Sequence, residues 1–184
     1  MQFSFYNSST MKKLYFVRHG QSVLNVQGMM AGSTETPLTD EGRRQAIATG
    51  KRMKQAGITI DVIVASPRER AIETAQLIAE QLGIDPKTIH INDLFAEQHY
   101  GELEGKAWAP DLNLDGVSDM ETIDSLVERA HLGLKWIENN TKPSDHVLVV
   151  SHGGFGRAFR STVLQSFPLD YTFRIGNAEL VELI

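Results

Sequence analysis

The sequence predicts an α/β fold, a three-layer sandwich in which a largely parallel central sheet is flanked by helices. Three observations lead there. Short apolar runs at 14–17, 61–65 and 146–150 lack polar alternation and read as strands buried on both faces. The intervening segments carry apolar residues at helical spacing between capping residues and glycines. The two kinds of segment alternate along the chain, the pattern of βαβ units.

Taken in order, residues 1–11 lack the early positive charge and the unbroken apolar stretch of a secretory signal, and read as a loose N-terminal extension. A single domain is expected over 12–184. The run 14–17 is the first strand, stopping at Arg18-His19-Gly20, and a Gly- and Thr-rich loop covers 25–37. Thr39 or Asp40 opens a helix that ends near Gly57. The second strand, 61–65, leads into Ser66-Pro67-Arg68-Glu69, which has the form of a capping box with Pro at the first helical position. That helix stops at Gly83, and a third strand is expected over 88–91. The stretch 93–117 has no sustained period and reads as loop with short turns. Ser118 to Glu121 forms a second capping box, before a long helix. The fourth strand, 146–150, runs into Ser151-His152-Gly153-Gly154 and a last helix from about Phe155 to Leu164. One or two closing strands are expected over 171–184.

Composition narrows the function. The chain has 184 residues, a formal charge of −5 and no Cys. At this length it should bury roughly 70 % of its unfolded surface. The absence of Cys removes thiol nucleophiles, disulfides and thiolate metal sites. Mild acidity argues against nucleic acid as a partner, and no apolar stretch is long enough for a membrane span. A cytoplasmic protein acting on something small is the expectation.

Ligands of open α/β sheets sit beyond the carboxyl ends of the strands. Three strands end in polar residues: Arg18 and His19, Ser66 with Arg70 close behind, and Ser151 and His152. In a parallel sheet these groups share one rim. Two Arg, two His and helix N-termini suit an anion, and guanidinium forks suit phosphate. His19 is the candidate nucleophile, kept neutral by two nearby guanidinium charges. His152 is a second imidazole able to donate to phosphoryl oxygens. Glu97 is the candidate proton donor, with Glu102 and Glu104 as alternatives in the same loop.

The segment Val17-Arg18-His19-Gly20-Gln-Ser22-Val-Leu-Asn25 resembles the signature of the histidine phosphatase superfamily, the phosphoglycerate mutase-like proteins. The likeness continues through Gly32-x-x-Glu35-x-Pro37-Leu38-Thr39, Gly42 with Gln45-Ala46, and Ser66-Pro67-x-x-Arg70-Ala71-x-x-Thr74-Ala75. It ends with Glu97 and Gly101-x-x-Glu104-Gly105, then Val150-Ser151-His152-Gly153-Gly154. The resemblance implies the phosphoglycerate mutase-like architecture, His19 as the phosphorylated group, and a phosphate pocket of Arg18, Arg70 and His152. It further implies Glu97 as proton donor, Asn25 and the Gly153 backbone as added phosphate contacts, and no metal ion or other cofactor. Ser22, where Thr is common, keeps the hydroxyl and changes little, whereas the departures at Glu35 and at Val117 in Gly116-Val117-Ser118 bear on substrate identity. Asn25 equally reads as a turn residue holding its loop. His90, His99, His131 and His146 match no motif position, His99 reading as a solvated loop residue and Arg157 and Arg160 as a solvated helix face.

The function expected is a metal-independent phosphomonoesterase working through a phosphohistidine. The alternatives are a phosphoglycerate mutase-type transfer and a phospho-ligand binding module without turnover. Mutases of the family carry a longer insertion between the acid and the second His, whereas here 55 residues separate Glu97 from His152. The partner expected is a small phosphorylated metabolite or a phosphoprotein. The sequence does not specify the oligomeric state.

Overall fold

A computed structural model of the protein describes residues 13–109 and 116–184. The expected N-terminal extension, 1–11, lies outside the described residues, as do residues 110–115 of the long loop. Among the described residues the sheet has five strands: β1 (Lys13–Arg18), β2 (Val62–Ala65), β3 (His90–Ile91), β4 (His146–Ser151) and β5 (Leu180–Glu182). Their order is β3-β2-β4-β1-β5. The first four are mutually parallel, and β5 runs antiparallel along β1.

Side chains alternate across a strand, and here both sets are apolar. Leu14, Phe16, Val64, Val147 and Val149 face one layer, built from α4 (Ile123–Asn140) and α5 (Gly153–Leu164) through Leu126, Ala130, Ile137, Phe155 and Phe159. Tyr15, Val17, Ile63, Ala65, Leu148 and Val150 face the other. There α2 (Asp40–Gln55) and α3 (Glu69–Leu82) supply Met53, Ala75, Ile78 and Ala79. The three-layer α/β architecture is therefore the one the apolar runs predict. A one-turn helix, α1 (Val23–Val26), follows β1. Among the described residues no helix is long and apolar enough to cross a membrane.

Three local expectations are corrected. Ser66 does not cap α3, because its N–H still belongs to the sheet, donating to the Val150 carbonyl at 3.0 Å. The helix begins only after Arg68, which makes no side-chain cap, and Glu35 from the preceding loop accepts the Glu69 N–H at 3.2 Å instead. Ser118 and Glu121 do not form the second box: Thr122 caps α4 by accepting from Ser125 N–H, while Arg129 draws the Glu121 carboxylate away at 2.7 Å. The third strand is only two residues long, since Pro86–Thr88 winds into a 3₁₀ turn capped by Asp85. At the C-terminus one closing strand forms among the described residues.

The turn after β1 is held against α2 by backbone contact. A Cβ on Gly42 would overlap the Gln21 carbonyl oxygen, and one on Gly20 would overlap the Gly42 carbonyl. Gly→Ala inside a helix ordinarily gains roughly 1 kcal/mol. Gly42→Ala is expected to reverse that sign and lower the urea midpoint, because the atoms in the way are backbone. An equal or higher midpoint would contradict this packing.

Candidate active site

The parallel register pairs Arg18 with Ser151, so His19 and His152 leave the sheet side by side. The His19 N–H donates to the Ser151 carbonyl at 2.8 Å, and the two imidazoles lie 5.0 Å apart at 62°. One strand over, β2 is followed by Ser66, whose hydroxyl stands 2.6 Å from His152 Nε2. The expected common rim is thus present.

His19 is buried, and its Nδ1 lies 2.7 Å from the Gly20 carbonyl. A carbonyl can only accept, so Nδ1 carries the hydrogen and Nε2 of the neutral ring keeps its lone pair. Burial, then the Arg18 and Arg70 charges, push the His19 pKa well below its ordinary value. His152 is held neutral in the same direction, by burial first and then by His19, Arg70 and Arg18. The Ser66 hydroxyl already accepts the Arg68 N–H at 3.3 Å. Donation of its own hydrogen to Nε2 leaves the His152 ring hydrogen on Nδ1, which is buried and unpartnered among the described residues. His152 occupies the cap position of α5 without any side-chain capping bond, so its ring does not cap the helix.

The two arginines complete the cluster. Arg70 is only 1 % exposed, and donates through Nη1 to the Thr34 carbonyl (2.9 Å) and through Nη2 to the Gly32 carbonyl (2.8 Å). Glu73, which could have neutralised it, pairs with Arg43 at 2.6 Å. Arg18 donates through Nη1 to the Ile175 carbonyl at 2.9 Å. Both Nε atoms are buried and unpartnered among the described residues. Burial lowers both guanidinium pKa values, with Glu97 opposing. A buried and a half-buried cation whose direct hydrogen-bond partners among the described residues are carbonyl oxygens, with donors left over, are chemically suited to receive an anion.

Glu97 sits at the start of α5, where its oxygens accept from Phe155 N–H (2.8 Å), Gly154 N–H (3.1 Å) and its neighbour Gln98 N–H (2.9 Å). That is a favourable place for a carboxylate. Gly153 opens the same helix beside Arg18, whose Nε lies 3.6 Å from where a Cβ would stand. The alternatives to Glu97 are placed elsewhere. Glu104 is taken up by Ser33, Thr34 and His99, and Glu102 lies exposed near Ser118. Asn25 accepts through Oδ1 from Ser22 N–H (3.1 Å) and Asn177 Nδ2 (3.0 Å), so its carbonyl end holds the loop.

Sequence reasoning missed two residues. Arg129 holds the backbone before and at Glu97, donating to the carbonyls of Leu94, Ala96 and Glu97, while its guanidinium stacks 5.2 Å from the Phe155 ring centre. Its only sequence signal is a basic residue on the apolar side of an amphipathic helix. The Tyr100 hydroxyl and the Glu97 carboxylate flank Gly154, 2.7 and 2.8 Å from where its Cβ would stand. Burial and the Glu97 charge raise the phenol's pKa, so it is a neutral donor. Two expectations are also corrected. His99 is drawn into contacts with Ser33 Oγ (2.8 Å), Glu104 (3.0 Å) and Asp119 (3.2 Å). Arg157 and Arg160 are half-buried and stack on Tyr171 and Phe173. Among the described residues no group of three or more His, Cys, Asp or Glu is placed to hold a metal ion.

Fold and site together define an α/β protein with paired histidines and two arginines gathered at the carboxyl edge of its sheet. The chain belongs to the histidine phosphatase superfamily (branch 1), whose sequence model matches residues 14–184. It is 33 % identical over 171 residues to the uncharacterised phosphatase PhoE of Bacillus subtilis, covering 91 % of this chain and 86 % of that one. A 2,3-bisphosphoglycerate-dependent phosphoglycerate mutase of Bartonella bacilliformis is 38 % identical, over 51 % of this chain and 46 % of the mutase. The chain thus spans about half the length of the mutases it matches. Among solved structures, a phosphoserine phosphatase of Entamoeba histolytica in complex with 3-phosphoglyceric acid superposes with a TM-score of 0.77. It is 28 % identical and covers 92 % of this chain and 89 % of the other.

Histidines whose folded pKa lies below the unfolded value make stability depend on pH. The unfolded chain takes up protons near pH 6.5 and the folded site does not, so stability is full above that pH and falls as pH drops. His99 shifts the opposite way, through Asp119 first. Comparing the wild type with His19→Asn isolates the buried term. Between about pH 6.5 and 5 the wild type should lose stability more steeply, by about 1.4 kcal/mol per pH unit, as read by urea unfolding. Parallel slopes would mean that His19 is charged in the folded state.

Proposed function

We propose that the protein hydrolyses phosphomonoesters through a phosphohistidine on His19. The observation carrying this reading is the free Nε2 lone pair of His19, set beside His152 among unpaired Arg18 and Arg70 donors. The phosphoryl oxygens take hydrogen bonds from Arg18, Arg70 and His152 Nδ1, and the backbone of Gly153 at the start of α5 adds its dipole. Asn25 borders the pocket through its remaining amide nitrogen. His19 Nε2 attacks phosphorus and the P–O ester bond breaks. Glu97, in its acid form, gives its proton to the departing oxygen. The Glu97 carboxylate then takes a proton from water as that water attacks phosphorus. The P–N bond breaks, inorganic phosphate leaves, and His19 and Glu97 return to their starting forms. Every step uses groups of the chain itself.

Hydrolysis is favoured over mutase-type transfer because the likeness to a phosphatase runs along nearly the whole chain, whereas the mutase likeness covers half of it. The mutase reading rests on that half-length match and on the Gln98-His99-Tyr100-Gly101 segment. The substrate class proposed is a small phosphorylated metabolite. Phosphoserine and 3-phosphoglycerate head the panel, since a neighbour in structure is a phosphoserine phosphatase complexed with 3-phosphoglyceric acid.

Purified protein with EDTA is expected to release p-nitrophenol from its phosphate ester. His19→Ala should abolish that turnover, and Glu97→Gln should cut it by about a hundredfold or more. Acid quenching during turnover should trap an acid-labile phosphoprotein, absent from His19→Ala. Turnover that survives His19→Ala would sink the mechanism. Isomerisation of 3-phosphoglycerate without phosphate release would establish the mutase reading.

A further inference from the structure

Glu104 lies in the same loop as Glu97, and its carboxylate is spent on a different task. Its side chain is 12 % exposed. Oε1 accepts from Ser33 N–H (2.7 Å) and, more weakly, from Tyr100 N–H (3.3 Å), and Oε2 accepts from Thr34 N–H (2.8 Å) and Thr34 Oγ1 (2.6 Å). His99 Nδ1 stands 3.0 Å from Oε1. These donors outweigh the burial that would raise its pKa, so the group remains charged. Gly32, at φ +50°, passes so close that a Cβ there would overlap Oε1. One carboxylate therefore grips both N–H groups at the centre of the 32–34 turn.

The other side of that turn meets Arg70. The carbonyls of Gly32 and Thr34, which flank the gripped amides, accept from Arg70 Nη2 and Nη1. Among the described residues Arg70 makes no direct ion pair, Glu97, Glu35 and Glu104 acting on it only through space, so it takes its orientation from these two oxygens, and they fix where its unpaired Nε points. The Ser33 N–H and the Gly32 carbonyl belong to one rigid peptide plane, so gripping the first sets the second, while the Thr34 carbonyl, one peptide further on, is set through the Thr34 N–H and Oγ1 that Oε2 holds.

We infer that Glu104 is a positioning residue: by clamping the 32–34 turn it presets the Arg70 guanidinium to receive the phosphoryl group. This inference rests on the phosphatase reading and adds to it a residue that touches neither substrate nor reacting atoms. The arrangement is preorganisation of the receptor before ligand arrives, which is where donors aimed at developing charge gain most. It also accounts for a glycine at position 32, where a Cβ would overlap the Glu104 carboxylate.

The test is a double-mutant cycle on the affinity for inorganic phosphate, measured by calorimetry so that poorly active variants remain readable. Glu104→Gln should weaken phosphate binding by roughly tenfold, the order expected when a charge-assisted hydrogen-bond set is broken. In the Arg70→Lys background the same change should cost less than about twofold, since the cycle couples only groups acting through one another. Gly32→Ala, which displaces the same turn, should reproduce both results and decides the matter if Glu104→Gln does not fold. In turnover of p-nitrophenyl phosphate, KM should rise together with the phosphate inhibition constant. Equal losses in the wild-type and Arg70→Lys backgrounds would overturn the inference, as would unchanged phosphate affinity. A wild-type protein that neither binds phosphate nor turns over the ester would instead refute the underlying phosphatase reading.

Discussion

The pairing of β1 with β4 is the constraint on which the rest depends. His19 and His152 are 133 residues apart in the chain, and what joins them is the register that sets Arg18 opposite Ser151. A parallel ladder aligns the carboxyl ends of both strands, so the residues that follow them emerge on the same edge. A one-residue slip would send every inward side chain of β1 to the wrong layer. Leu14 and Phe16 belong with α4 and α5, and Tyr15 and Val17 with the α2–α3 layer. The apolar surface on both faces therefore fixes the position of two catalytic candidates that make no contribution to the core.

That edge is electrostatically expensive. Arg70 is taken out of water, and Arg18 partly so, beside two neutral imidazoles, and the ion pairs of the neighbourhood are made by other residues, Arg43 with Glu73 and Arg68 with Glu35. Burying a charge costs several kcal/mol unless partners replace its water shell. The partners here are three carbonyl oxygens from two segments, Gly32 and Thr34 in one turn and Ile175 in another. They orient the guanidinium groups without cancelling their charge. Burial first, and then this same charge, hold His19 and His152 neutral, which keeps the His19 Nε2 lone pair available.

Much of this was legible in the sequence, because strand ends and motif spacings are local. The apolar runs identified the principal strands, and Arg18, His19, Arg70 and His152 were placed together by the rule that parallel strands share a carboxyl edge. What could not be read was decided by partners distant in sequence. Ser66 has the form of a helix cap, yet the sheet keeps its N–H and His152 takes its hydroxyl. Ser118 and Glu121 spell a capping box that Arg129 dismantles by claiming the glutamate. His99 has no local signal for its three partners at positions 33, 104 and 119. Asn25 was ambiguous between loop and pocket, and its bonds to Ser22 and Asn177 serve the loop.

The choice between Glu97 and Glu104 turns on what each carboxylate is attached to. Their loop is pinned to the sheet by the Ser151 hydroxyl, which donates to the Phe95 carbonyl at 2.7 Å, and by Asn92 N–H on the Ala65 carbonyl. From there the two glutamates diverge. Glu97 rests on the first amides of α5, a rigid element that also begins beside His152, and Arg129 fixes its backbone from behind. Glu104 rests on a turn outside any helix or strand, one closed by Thr34 N–H on the Ala31 carbonyl (2.8 Å), and it adds a second hold on the amides of that turn. A proton donor must itself be held still, whereas a clamp holds something else still. Seven positions of one loop thus separate a group suited to proton transfer from a group suited to setting the receptor, with the distinction made by their neighbours and not by their residue type.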